Sequence, residues 1–397
     1  RREERLMAFE GSLGRLERIG GERVGRRALA DNPIRHLDPT LLVSALALTA
    51  FGNLMVYSAA SSRLRDQGLS PRYLLNRQMT FSLIGLAVMV VVATFNYRRL
   101  RAWAFPLYLA GLALLIAVLS PLGASAKGAQ RWINVAFFQL QPSEFMKLAV
   151  LVALAYFLSE RRGHPAAGAV VGACALVLVP AVLIFKQPDL GTLLVLMASL
   201  LTMLVVGGTR ARTMFVIILL GVSSVIGVLH THVLKDYQLA RLTAFLDPST
   251  DKQRTGYNLD QARIAVGSGQ LTGKGLFTGT QTNLDFVPEV QTDFIFTAVG
   301  EELGFVGSAV LLGLFAIFLW RGLRIAMLSK DLFGTMLAAG VVAMLAFQMF
   351  INIGMTIGVS PITGIPLPFV SYGGSSMITT YIATGLLLNV HMRRLSS

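Results

Sequence analysis

Ten predominantly apolar stretches run through this 397-residue chain, at roughly 40–60, 77–95, 102–120, 142–159, 166–186, 190–207, 213–230, 293–320, 332–358 and 375–391. No other feature constrains the fold so strongly. A helix needs ~17–25 apolar residues to cross a bilayer, and these stretches are of that order. They are apolar all round and lack the period-2 alternation of a membrane barrel strand, so helices are favoured. Only 14% of the residues are charged, against about 25% in an average soluble domain. The sequence therefore predicts an all-α polytopic membrane protein with about ten transmembrane helices. A large extracytoplasmic loop separates the seventh span from the eighth.

The formal charge of +14 invites a nucleic-acid reading, which its placement rejects. Ten spans put the short loops NYRRLRA, SERRGHP, GGTRART and WRGLRIAMLSKD, and the tail HMRRLSS, on one side. By the positive-inside rule that side is cytoplasmic. The partners this implies are membrane lipids, and no nucleic acid. An arm at 1–39 falls on the same side, ahead of a membrane domain at 40–397. Leu6, Phe9, Leu13 and Leu16 stand at helical spacing in the arm. Two readings of it stay open: a helix lying along the inner leaflet, or a cytosolic segment that orders on its neighbours. No cleavable signal peptide is evident, because the first long apolar run begins near residue 40 behind charged residues. Cys174 is the one cysteine and lies in an apolar run, so neither a disulfide framework nor a Cys-based metal site is expected.

Four longer segments fall on the opposite side, at 61–76, 121–141, 231–292 and 359–374. The one at 231–292 is too rich in Leu, Ile, Phe and Tyr for a linker. It is predicted to be a folded cap with short helices at YQLARLTAFL and NLDQARIAV. The last, VSPITGIPLPFVSYGGSSM, holds Pro361, Pro366 and Pro368 and cannot be regular helix. Irregular backbone near lipid has to be shielded by protein or line a wet cavity, so a re-entrant loop is expected.

Carboxylates gather where the eighth apolar run begins, in VPEVQTDFIFTAVGEELG at 287–304. Asp293 stands at the start of the run. The bland reading is an acid that favours a helix N-terminus; the functional one is a reactive carboxylate. Glu301 and Glu302 lie about two turns deeper, where an uncompensated charge costs at least ~2.5 kcal/mol. They must face a cavity or a cation, or be protonated. In QPSEFMKLAV, Glu144 and Lys147 stand three apart on one helix face, as an internal salt bridge or as part of a site. AKGAQRWIN brings Lys127 and Arg131 beside Trp132, whose ring is an interface anchor or a sugar-stacking surface. GSGQLTGKGLFTGT suggests a phosphate loop around Lys274, but the spacing, the residue after Gly-Lys and the absent strand reject it. Plain turns, or glycines that admit a substrate, remain.

Four of these stretches resemble the SEDS family (shape, elongation, division and sporulation): FQLQPSEFMKLAV, KQPDLGT, GTQTNLDFVPEVQTDFIFTAVGEELGFVG and TGIPLPFVSYGGSSM. The likeness covers about 36–394 and is closer to the elongation branch, RodA, than to the division branch, FtsW. It implies a peptidoglycan glycosyltransferase that polymerises lipid II on the outer face of the bacterial plasma membrane, for cell shape and wall biogenesis. A class B penicillin-binding protein would crosslink the product. It also implies Asp293 as the essential acid, and carries the family's Arg-Trp pair onto Arg131 and Trp132 and its Glu and Lys onto Glu144 and Lys147. Asp285 takes an acidic position upstream of Glu289, in the same motif.

The implied reaction joins a C4 hydroxyl to an anomeric carbon, with inversion. Glycosidases commonly use two carboxylates because an alkoxide leaves poorly. A lipid diphosphate leaves well and needs cationic stabilisation instead. One base is enough, and Asp293 is the candidate. Arg131, Lys147, Arg241 and Lys274 are the candidate diphosphate partners. No resident cofactor is required, though a divalent cation, Mg or Mn, held by Asp293 and the diphosphate is an alternative to base catalysis alone. Two other classes compete: a lipid II flippase and a non-catalytic scaffold. Neither the inverted repeats nor the broken helices common in transporters are visible in the sequence.

Overall fold

The computed structural model describes residues 36–126, 129–135, 138–161, 166–230, 255–284 and 286–394. The arm, Lys127, Arg241, Asp285 and the predicted helix at 237–246 lie outside the described residues. Helices α1 (Pro39–Asp66), α2 (Tyr73–Thr94), α3 (Leu100–Leu119), α4 (Pro142–Ser159), α5 (Ala167–Lys186), α6 (Leu190–Val206) and α7 (Ala211–His230) come first. They are followed by α8 (Thr255–Ser268), the short α9 (Thr280–Asn283), α10 (Ile295–Met327), α11 (Leu332–Ile357) and α12 (Gly374–Met392).

Seven of these (α1 to α5, with α3 extended back to Tyr97, and α10 and α11) are long and apolar enough to cross a membrane, while α6 and part of α7 are shorter apolar helices. With α12 they match the ten predicted stretches, and the predicted NLDQARIAV falls inside α8. α12 is less apolar because it is central: Thr379, Thr380, Thr384 and Asn389 are buried along it. α4 and α11 are also mostly buried, whereas the peripheral helices expose Leu83, Phe105, Val171 and Phe215. A helix ringed by protein tolerates polar side chains that one facing lipid does not.

The helix starts follow from local chemistry. Asp38 precedes Pro39 and accepts from the Leu41 N–H at 3.1 Å. Asp189 caps α6 and Asp331 caps α11, each by a bond to the N–H three residues on. Each supplies an acceptor to N–H groups that the helix cannot satisfy itself. α11 ends at Gly358, which takes the left-handed conformation that suits glycine.

Two features depart from the expected picture. The all-α expectation omits three short strands, β1 (Gly123–Ala126), β2 (Ala129–Val135) and β3 (Phe138–Leu140), which form an antiparallel sheet over 123–140. A broken helix, not visible in the sequence, is also present: α10 leaves helical geometry at Gly304, with φ 61° and ψ −156°.

The bundle has two unlike ends. The turns at 95–99, 207–210 and 328–331 carry arginines and lysines and form the basic end. The sheet, α8, α9, the turn at 287–294 and the loop at 358–373 gather at the other, called here the cap end. As the prolines demand, 358–373 is not a helix, and it is buried: Ile365, Leu367, Phe369, Val370 and Ser371 are enclosed. Phe369 packs edge-on against Phe318 of α10 and Tyr381 of α12. Gly52 of α1 lies so close to the Phe369 carbonyl that a Cβ would not fit.

Candidate active site

Asp293 sits half-buried in the turn that leads into α10, one residue before Phe294, which occupies the N-cap position. The turn is tight and strained. Glu289 has φ 59°, and its carbonyl accepts from the Thr292 N–H at 3.1 Å and the Phe294 N–H at 3.3 Å. A non-glycine residue held there costs on the order of 1–3 kcal/mol and persists only where its surroundings impose it. The turn is tied to the rest of the protein by main-chain bonds. Asn352 Nδ2, on α11, donates to the Asp293 carbonyl at 2.8 Å, and the Tyr372 N–H donates to the Gln291 carbonyl at 2.9 Å. Gln78 of α2 reaches the same region and donates to the Ser371 carbonyl at 3.1 Å. Beside the turn, a pocket of about 150 Å³ is lined by Ala60, Arg63, Leu64, Gln67, Leu74, Glu289 and Gln291.

Deeper in α10, the two glutamates meet different partners. Glu301 is fully buried and makes an ion pair with Lys274 Nζ at 2.8 Å. It also accepts from the Gln281 N–H at 2.8 Å and the Thr282 N–H at 3.0 Å, so it caps α9 from another element. The cation that its depth requires is therefore Lys274. Glu302, equally buried, accepts from Ser58 Oγ at 2.5 Å and the Phe277 N–H at 3.2 Å, while its Oε1 has no partner among the described residues.

The glycine-rich segment explains the break in α10. The N–H groups of Lys274 and Gly275 donate to the carbonyls of Glu301 and Glu302 at 3.0 and 2.9 Å. The N–H groups of Phe305 and Val306 donate to the carbonyls of Gln270 and Leu271 at 2.8 and 3.0 Å. The segment thus satisfies the backbone groups that the break would leave open, as burial demands. Gly273 and Gly304 touch: a Cβ on either would strike the other strand. Neither a phosphate loop nor a plain turn describes this arrangement. The glycines admit a second chain segment, and the Lys274 and Gly275 N–H groups are already spent.

Lys147 donates to Glu144 Oε1 at 2.7 Å, with both side chains almost fully enclosed, and Thr379 Oγ1 donates to Glu144 Oε2 at 3.1 Å. Ser375, also on α12, accepts from the Gln141 N–H at 2.9 Å. Arg131 on β2 donates from Nε to the Gln187 carbonyl at 3.0 Å and also to the Pro188 carbonyl. Its Nη1 lies 3.9 Å from Asp189 Oδ1. Trp132 pairs across the sheet with Ala124 and is half-buried.

Of the residues predicted for the site, Asp293 and Glu289 share one turn. Glu144 and Lys147 form a closed pair, Lys274 is committed to Glu301, and Arg131 holds the 187–189 turn. Sequence reasoning missed Asn352, Gln78, Arg63 and Ser58. Asn352 and Gln78 are buried amides inside apolar helices, where a polar side chain is expensive, and that was the available signal.

The fold defines a class: a polytopic helical membrane protein with a folded cap and a buried, irregular loop at one end. Residues 39–395 match the family model described as the cell cycle proteins FtsW, RodA and SpoVE, and the chain belongs to that family. It is 38% identical over 373 residues to the peptidoglycan glycosyltransferase MrdB of Escherichia coli K12, covering 92% of this chain and 98% of that protein. It is 39% identical over 363 residues to the stage V sporulation protein E of Bacillus subtilis, covering 89% and 96%. Among solved structures, RodA of Thermus thermophilus matches with a TM-score of 0.67 and 31% identity, over 91% of this chain and 98% of that one. A chain from a peptidoglycan synthase complex that coordinates polymerisation and crosslinking matches with a TM-score of 0.76 and 32% identity, over 91% and 99%.

Proposed function

We propose that the chain is a peptidoglycan glycosyltransferase of cell elongation, which polymerises lipid II with Asp293 as its base. Family membership and the glycosyltransferase names of its relatives support the activity. The observation that carries the site is the placing of Asp293: a half-exposed carboxylate on a strained turn whose main chain is tied to two other elements. Such a base must stand within ~2.6–3.2 Å of the proton it takes.

In the step proposed, the C4 hydroxyl of lipid II attacks the anomeric carbon of the lipid-linked strand. The bond from C4 oxygen to C1 forms as the bond from C1 to the diphosphate oxygen breaks. The proton passes to Asp293 and the electron pair leaves on the lipid diphosphate. Cationic groups stabilise that developing charge. Lys274 and Arg131 have carboxylate or carbonyl partners already, so they serve the diphosphate only by exchanging or sharing them. Among the described residues no group of three or more His, Cys, Asp or Glu side chains assembles. A divalent cation at Asp293 would therefore draw most of its ligands from the diphosphate.

The cap end faces outward in this reading, since lysine and arginine concentrate in the opposite loops. The partner is a class B penicillin-binding protein, supported by the likeness to a chain of a synthase complex.

The flippase reading gains one observation, the break in α10. That break is closed by the backbone bonds of the glycine-rich segment, which favours the enzyme. Purified protein, with and without the partner, given labelled lipid II should make glycan strands. Movement of the lipid between leaflets without strand formation would support the flippase. Cysteine probes in a Cys174→Ser background should react from outside at Leu271→Cys and not at Arg210→Cys, and the reverse pattern would sink the enzyme reading.

A further inference from the structure

Resting on the reading of Asp293 as the base, we infer that Asn352 is the positioning residue that sets this carboxylate and couples it to the buried loop at 358–373. Asn352 is fully enclosed in α11. Its Nδ2 donates to two carbonyls, of Asp293 and of Ile365, each at 2.8 Å. Both partners are acceptors only, which fixes the amide nitrogen on that side.

The two carbonyls are alike in one respect. Ile365 belongs to irregular backbone, and Asp293 precedes the α10 ladder, where the Thr297 N–H donates to Phe294 at 2.9 Å and not to Asp293. The amide of Asn352 fills the donor role that neighbouring helix turns would fill elsewhere. Holding the Asp293 carbonyl holds its Cα, so the carboxylate moves only by side-chain rotation. The Tyr372–Gln291 bond is a second tie between the same two segments. A shift of the loop at 358–373 is therefore transmitted to the base. Asn352 acts through Asp293 and touches no reacting atom. Small misplacements of a catalytic group, on the order of 1 Å, cost about a hundredfold in rate.

A matched control sits at the other end of the bundle. Asn389 on α12 is just as buried, and its Nδ2 donates to the Val92 and Phe95 carbonyls. The test uses the full chain with its transpeptidase partner and labelled lipid II, with rates counted per folded protein from the monodisperse size-exclusion peak. Asn352→Leu should lower kcat ten- to a hundredfold with KM within twofold. Asn389→Leu should lose at least as much thermal stability with kcat within twofold. Asn352→Ser, which keeps one donor, should fall between parent and Leu, and decides by the same split if the Leu variant does not fold. Normal kcat in the Asn352 variants overturns the inference, as does a kcat loss that simply tracks stability in both asparagines. Asp293→Asn, run alongside, separates the two failures. If it is inactive while Asn352→Leu is normal, only the positioning role fails; if it is active, the base assignment fails first.

Discussion

The two ends of the bundle solve the same problem, keeping polar groups inside apolar helices, in different ways. At the basic end, charges close on one another. Asp38 accepts from Arg321 Nε at 3.0 Å, Asp331 pairs with Arg101 at 3.2 Å and accepts from the Tyr97 hydroxyl at 3.0 Å, and Arg393 donates to Asn389 Oδ1 at 2.6 Å. At the cap end, Gln270, Phe277, Glu289 and Phe369 all take positive φ, which no non-glycine residue described at the basic end does. Among the described residues, Gln187, Gln281, Thr297, Glu302 and Asn352 each bury a side-chain atom without a partner there, against Arg101 and Thr209 at the basic end. Strain and unsatisfied polar groups cluster where structure is subordinated to chemistry. The basic end is built to be stable and the cap end to be placed.

Substitutions at each end test this contrast. The largest effect is expected from Asp293→Asn. It should lower strand synthesis by ~10²–10⁴-fold, the range of general base catalysis, with a melting temperature close to the parent's. A purified variant that polymerises at the parental rate would remove the chemistry from the cap end.

Next come two substitutions that each strand a buried charge, at ~3–5 kcal/mol of stability if the partner cannot relax. Asp38→Ala at the basic end should lose that stability while turnover per folded molecule stays within twofold. Lys147→Ala at the cap end should lose stability and turnover together, or turnover alone if Lys147 meets the diphosphate. Equal behaviour of the two would erase the distinction between the ends. Asp38 also makes a pH prediction. Burial pushes its carboxyl up, but bonds from Arg321 and the Leu41 N–H, with the Arg321 charge, hold it below the usual range. A depressed folded pKa stabilises fully above the unfolded value near ~3.9 and ceases to as pH falls through the folded value. Acid melting below about pH 4 should therefore be steeper in the parent than in Asp38→Asn.

Smaller effects separate two glycines of the cap end. Both have positive φ, but a Cβ at Gly273 would strike the Glu302 carbonyl, whereas one at Gly68 meets nothing within 4 Å. Gly68→Ala should cost only the left-handed backbone penalty, about 1 kcal/mol. Gly273→Ala should cost about 2–3 kcal/mol and loosen the Lys274–Glu301 pair. Equal losses in thermal melts would mean that the segment is not clamped across the break in α10.

The sequence by itself determined the spans, because an apolar run of bilayer length has few ways to satisfy its backbone other than as a helix. It also determined that 358–373 is irregular, because proline cannot supply the donors. The sheet at 123–140 was not legible, since its strands, of three to seven residues, are too short to carry an alternation that can be told from chance. Nor was the break at Gly304, which needs the segment at 269–275 to stand across it. Asp293 stood out as an acid at the edge of an apolar run. The roles of Asn352, Lys274 and Arg131 did not, because each is set by a partner 27 to 59 residues away. A buried charge or amide announces from sequence that it needs a partner; only the packed chain decides which one it finds.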